Sequence, residues 1–117
     1  LYEIQIPSML IQIPVENALK HALRTKKGDK KLWIRINKDA DKIYISITDN
    51  GGGFKQISDN RGTGTGLKVV TQSIQLLNMY NKVPITMRIV NVPLDNSETG
   101  CEIRYSLPLD YSYNISK

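Results

Sequence analysis

Apolar residues recur along the chain with two different periods, and each period predicts an element. Between Ser8 and Leu23 they fall at Ile11, Val15, Ala18, Leu19 and Ala22, the spacing of one helix face. Pro7 and Ser8 act as start signals. Pro14 lies inside this helix and removes one backbone hydrogen bond, which predicts bent first turns and a regular helix beginning near it. Leu32, Ile34 and Ile36 then alternate with Trp33, Arg35 and Asn37, and Ile43, Ile45 and Ile47 with Tyr44, Ser46 and Thr48. These are two half-buried strands joined by the turn "KDADK". Helical spacing returns at Leu67, Val70, Ile74 and Leu77 and runs to about Tyr80. Two further alternating strands follow, "ITMRIVNV" from Ile85 and "CEIRYSL" from Cys101, separated by the turn-rich "PLDNSETG". A short strand is also expected at Tyr2 to Ile6.

Alternation in all four main strands means that one sheet face buries and the other stays wet. The order helix, two strands, glycine loop, helix, two strands therefore predicts an α+β fold: a two-layer sandwich, its mixed, mainly antiparallel sheet covered on one face by helices. A doubly wound parallel sheet would need more continuous apolar strands. At 117 residues and 40% hydrophobic content the chain has material for one core, so residues 1–117 are expected to form a single domain. The first residue is Leu1, without a Met or a leader pattern, and the domain is expected to be a piece of a longer protein. The apolar runs are too short to span a bilayer.

Charge and cysteine content narrow the function classes. One cysteine, Cys101, excludes an internal disulfide and a cysteine-based zinc site, and suits a reducing compartment. The net charge of +5 is partly concentrated in Lys26, Lys27, Lys30 and Lys31. No aromatic residue interleaves these lysines as in single-strand binders, so a solvated loop is expected and no direct nucleic-acid contact.

The candidate chemistry lies in two places. In "VENALKHAL", Asn17, Lys20 and His21 stand three and four apart and project from neighbouring parts of one helix face. An amide oxygen suits a hard cation such as Mg²⁺, and an ammonium suits polyphosphate. An ordinary solvated face has the same composition, and His21 fits a base, a nucleophile, a ligand or a side chain packed at the core edge.

The second place is "DNGGGFKQISDNRGTGTGL", which holds six of the chain's eight glycines. A flexible surface loop would have this composition too. Asp49, however, emerges at a strand end, where a carboxylate can accept from the exocyclic amine of a purine, while Gly51 and Gly53 permit close approach. "GTGTGL" precedes a helix, so the N–H groups near Gly62, Gly64 and Gly66, with the hydroxyls of Thr63 and Thr65, can face an anion. The spacing fits neither a Walker loop nor a dinucleotide fingerprint, because Leu67 stands where each needs another residue.

Together these pieces resemble the ATP-binding catalytic domain of sensor histidine kinases, within the wider fold group of gyrase, Hsp90 and MutL. "IQIPVENALKHAL" resembles the N box of that family, "DNGGGF" its first glycine box and "GTGTGL" its second, in matching order. Glu16 before Asn17 and His21 after it resemble the subgroup of membrane-bound kinases related to LytS and YehU. The resemblance implies that Asn17 coordinates Mg²⁺, Lys20 contacts phosphates and His21 lines the phosphate region. Asp49 would bond the adenine amine, with Gly51 and Gly53 shaping the base pocket. Gly62, Thr63, Gly64, Thr65, Gly66 and Leu67 would hold the phosphate end of a lid formed by Lys55 to Arg61.

It further implies transfer of the ATP γ-phosphoryl group to a histidine on an upstream dimerisation domain, and from there to a response regulator. The parent would be a homodimeric, membrane-bound bacterial protein with this domain in the cytoplasm. His21 is the single histidine, so the acceptor histidine is expected elsewhere in that parent and the domain alone is expected to bind ATP without autophosphorylating.

Three positions depart from the pattern. Cys101 follows Gly100 where the family often has threonine, and "KVVTQSIQLL" replaces the subgroup's usual helix sequence. Ile13 stands where hydrolytic relatives place a glutamate base, which argues against an ATP-hydrolysing conformational machine. The other alternative is a degenerate nucleotide-binding regulatory module, against which Asn17, Asp49 and both glycine boxes argue.

Overall fold

The structure is a computed structural model that describes residues 6–24, 26–52 and 63–109, with the backbone alone described for residues 21, 22, 63–66 and 96. The expected strand at Tyr2 to Ile6 falls largely outside the described residues. Helix α1 spans Met9–Asn17 and passes directly into a π-helical turn at Ala18–Ala22. Strands β1 (Leu32–Lys38) and β2 (Lys42–Asp49) form the expected hairpin. Helix α2 (Thr63–Asn78) is followed by β3 (Thr86–Pro93), a short 3₁₀ turn at Asp95–Ser97, and β4 (Thr99–Pro108).

The sheet order is β1-β2-β4-β3, and every pairing among these strands is antiparallel. This is the α+β sandwich that the alternation predicts. The registers stack Ile36, Ile45, Tyr105 and Met87 in one row, and Ile34, Ile47, Ile103 and Ile89 in the next. Ile45, Ile47, Ile103 and Tyr105 are buried in a core with Leu10 of α1 and Val70 and Ile74 of α2. Helix α1 packs against α2 and against β2.

Three details differ from the expectation. The regular helix begins at Met9, five residues before Pro14, because the missing proline N–H frees only the carbonyl of Leu10 while the ring itself is buried. Ile34 and Ile36 point to the core face yet are 46% and 57% exposed, since they sit on edge strand β1 while α1 lies over β2. Periodicity gave their face correctly; cover depends on where the helices lie.

The π turn explains a third difference. Ala18 and Leu23 are buried five positions apart, and the amide of Leu23 donates to the carbonyl of Ala18 at 2.8 Å. That is the π repeat, and it turns Leu19, which the α period puts inside, out to 56% exposure.

Candidate nucleotide site

Strand β2 ends by delivering Asp49 to the helix-covered side of the sheet. Its register row is Leu32, Asp49, Cys101 and Asn91, the last rung at this end. Asp49 keeps the side-chain direction of Ile45 and Ile47 because strands alternate with period two. It is 7% exposed. One carboxylate oxygen accepts from the amide of Gly51 at 2.9 Å, and the backbone of Cys101 also donates to the carboxylate. Burial raises the carboxyl pKa, and these two backbone donors oppose that rise without cancelling it. The group is thus a buried, oriented acceptor, suited to an amine donor.

The turn after Asp49 is tied down from both sides. Gly52 has φ 101, a conformation that side-chain-bearing residues rarely adopt, and its amide donates to Thr99 at 3.0 Å. Asn50, 2% exposed, accepts from the amide of Lys31 at 2.8 Å and donates to the carbonyl of Asp29 at 2.9 Å. Lys26 closes the same edge by an ion pair with Glu98 at 2.5 Å. Sequence reasoning missed Asn50. Its signal, a buried amide next to the key carboxylate, becomes visible only when the loop before β1 is seen beside it.

Asn17 is the last residue of α1, half-buried, at the junction with the π turn. Lys20 lies in the turn and is exposed; His21 shares it, with its side chain outside the described residues. A π turn advances fewer degrees per residue than an α turn, so positions four apart align more closely and positions three apart less. Asn17 and Lys20 are therefore more widely separated around the axis than the α period implies. π-bulges of this kind occur often at functional sites.

The second glycine box forms the first turn of α2. Thr63, Gly64, Thr65 and Gly66 are its opening residues, so their amides belong to the turn whose N–H groups lack helical acceptors. Leu67 is buried at 7% exposure within the core, and its side chain anchors the helix. Gly53, Gly62 and the expected lid from Lys55 to Arg61 lie outside the described residues. The end of α1, the carboxylate of β2 and the start of α2 are thereby carried by elements packed on one sheet face.

Residues 7–111 match the model of the family described as histidine kinase-, DNA gyrase B-, and HSP90-like ATPase. The chain belongs to this family. It is similar to Sensor protein LytS of Bacillus subtilis, with 32% identity over 93% of this chain and 19% of the relative. Sensor protein LytS of Staphylococcus epidermidis strain RP62A is 30% identical over 95% of the chain and 20% of its own length. Sensor protein LytS of Streptococcus agalactiae serotype V is 25% identical over 91% of the chain and 19% of its own length. The chain thus spans about a fifth of the length of the curated relatives it matches. As a member of an ATPase family it is an ATP-binding domain, and Ile13, half-buried against the core, offers no side-chain base one helical turn before Asn17.

Proposed function

We propose that this chain is the catalytic ATP-binding domain of a two-component sensor kinase, donating the ATP γ-phosphoryl group to a histidine on an upstream dimerisation domain. The observation that carries the reading is the buried Asp49 carboxylate, oriented by Gly51 at the end of β2, in a chain whose N box and glycine boxes occur in the family's order. Asp49 accepts the adenine amine, Gly51 and Gly53 leave room for the base, and the amides at Gly62 to Gly66 meet the phosphates at the start of α2. Lys20 neutralises phosphate charge, and His21 lines the same region.

The donor set fits Mg²⁺. Among the described residues no three His, Cys, Asp or Glu side chains gather into a metal cage, while Asn17 supplies one hard oxygen, the pattern expected of an ion whose other ligands are phosphates and water. Bound there, the ion would screen phosphate charge. In such transfers the protein chiefly positions groups and balances charge.

The acceptor histidine, the homodimeric arrangement, the response regulator and the membrane attachment all belong to the proposed parent. Among the described residues no helix is long and apolar enough to cross a membrane. Residues 1–117 act as one domain in this reading.

A titration with a nonhydrolysable ATP analogue, with and without Mg²⁺, tests the proposal. Asp49→Asn is expected to weaken adenine-dependent binding, and Asn17→Ala to remove most of the Mg²⁺ dependence. Unchanged binding in both variants would refute the site. Phosphohistidine on the isolated domain after incubation with ATP would refute the assignment of the acceptor to another part of the parent.

A further inference from the structure

The sheet face opposite the helices carries more positive charge than the fold requires. The registers bring Arg35, Ser46, Arg104 and Arg88 into a single row across all four strands. Arg35 and Arg88 are exposed, and the Arg104 side chain is half exposed. Arg88 lies directly opposite Arg104, a like-charge pairing that works against the sheet. Arg104 pairs with Glu102, whereas Arg88 has no carboxylate partner among the described residues.

The neighbouring row is Trp33, Thr48, Glu102 and Val90. Beside it opens a cleft of about 440 Å³, lined by Trp33, Arg35, Thr48, Glu102 and Leu94 among others. Trp33 is half-buried there although no helix covers this face among the described residues. Of the arginine row only Arg35 lines the cleft, so the indole and its aliphatic wall stand at one end of the row of guanidinium groups.

We propose that this face docks an acidic polypeptide segment of a partner protein, with carboxylates on the arginine row and an apolar side chain against Trp33. Planar guanidinium groups match carboxylates through paired N–H donors. Strands lie ~4.8 Å apart, so the row from Arg35 to Arg88 spans roughly 14 Å, a length that four or five extended residues cover. Carboxylates at Asp95, Glu98 and Glu102 line the same cleft. They repel any anion placed in the cleft itself but can accept backbone amides, so the segment's carboxylates lie on the arginine row and its apolar side chain and amides in the cleft, a division that an unbroken phosphate backbone cannot make; this favours polypeptide over nucleic acid. The proposal uses the face opposite Asp49 and stands independently of the nucleotide reading.

Trp33 is the chain's single tryptophan, so its emission reports on the cleft directly. The test titrates the intact domain with a tryptophan-free peptide of alternating glutamate and leucine, and with oligothymidylate as the competing probe. The peptide is expected to shift the Trp33 emission saturably. Arg35→Glu and Arg88→Glu should each weaken it about tenfold, while Lys82→Glu, the same charge change on an exposed loop, stays within about twofold. Thermal melts check folding, and Arg88→Glu is expected to melt no lower because it removes the clash with Arg104. An unshifted emission, an equal loss in Lys82→Glu, or tighter binding of oligothymidylate through the same arginines would each overturn the proposal.

Discussion

Gly100 lies so close to Asp49 that a Cβ on Gly100 would stand 2.2 Å from the Asp49 carbonyl oxygen. The same atom would lie 2.8 Å from a methyl group of Leu94. Backbone cannot yield as a side-chain tip does, so β4 can pass the end of β2 only with glycine at this rung. The lack of a side chain at Gly100 thus helps to set the position of the Asp49 carboxylate.

Gly100→Ala is accordingly expected to destabilise the fold by roughly 1–3 kcal/mol, as overpacking commonly does. It should also weaken ATP-analogue binding, because the cheapest relief moves Asp49. Chemical denaturation and the binding titration check the two effects. A variant with unchanged stability and affinity would show that the strands tolerate the extra atom.

Asp49 should give a stability that depends on pH in a definite sense. Burial raises its folded pKa above the ordinary 3.8, so the protonated carboxyl is the form the fold prefers. Its stabilising contribution is full below about 3.8, the unfolded value, and fades as pH rises through the folded value. At neutral pH the ionised group opposes folding. Asp49→Asn, which keeps an oxygen for the Gly51 amide, is expected to melt no lower than the parent at neutral pH, with the difference shrinking in acid. In the proposed site the same change removes a charge-assisted bond to the base, worth ~1.5–3 kcal/mol, or about ten- to a hundredfold in affinity. Melting curves across pH, set beside the titration, separate the two effects.

Cys101 is expected to be inert. It is 8% exposed, and burial, with the charges of Asp49 and Glu102, pushes its thiol from 9.0 up to about 12. Little of the thiol is ionised at mildly alkaline pH, and thiolate is the reactive form. Iodoacetamide should label the native domain far more slowly than the domain in guanidinium chloride. Equal rates would mean that β4 opens at this rung.

Which parts of this architecture can be read before folding depends on whether the cause is local. The strands and helices are legible because Ile43, Ile45 and Ile47, or Val70 and Ile74, repeat at the period of their own element. The placement of Asp49 follows from the end of its strand. The π turn is not legible, since Ala18 and Leu23 show their five-residue repeat only once both are buried. Trp33 reads as a wet-face residue, and its cleft depends on the β3–β4 turn arriving beside it. Gly100 and Asn50 act through chain segments distant in sequence, and no local pattern reports a register.

Two buried polar side chains should respond oppositely to removal, and the contrast tests the hydrogen-bond accounting of the fold. Asn50 is satisfied: its amide serves the Lys31 N–H and the Asp29 carbonyl, and it holds the loop before β1 against the turn after Asp49. Asn50→Ala would remove both bonds, at ~0.5–1.5 kcal/mol for each since Lys31 and Asp29 lie at the surface, and should loosen the proposed nucleotide site with them. Tyr105 is the reverse case. It is 2% exposed, its hydroxyl has no partner among the described residues, and burial pushes its pKa up, toward the neutral phenol. Tyr105→Phe keeps the ring that fills the core and removes only the unpaired oxygen, so stability should hold or rise by about 1 kcal/mol. Denaturant midpoints for the two variants decide the matter. A loss of stability in Tyr105→Phe comparable to that in Asn50→Ala would mean that the phenol has found a partner.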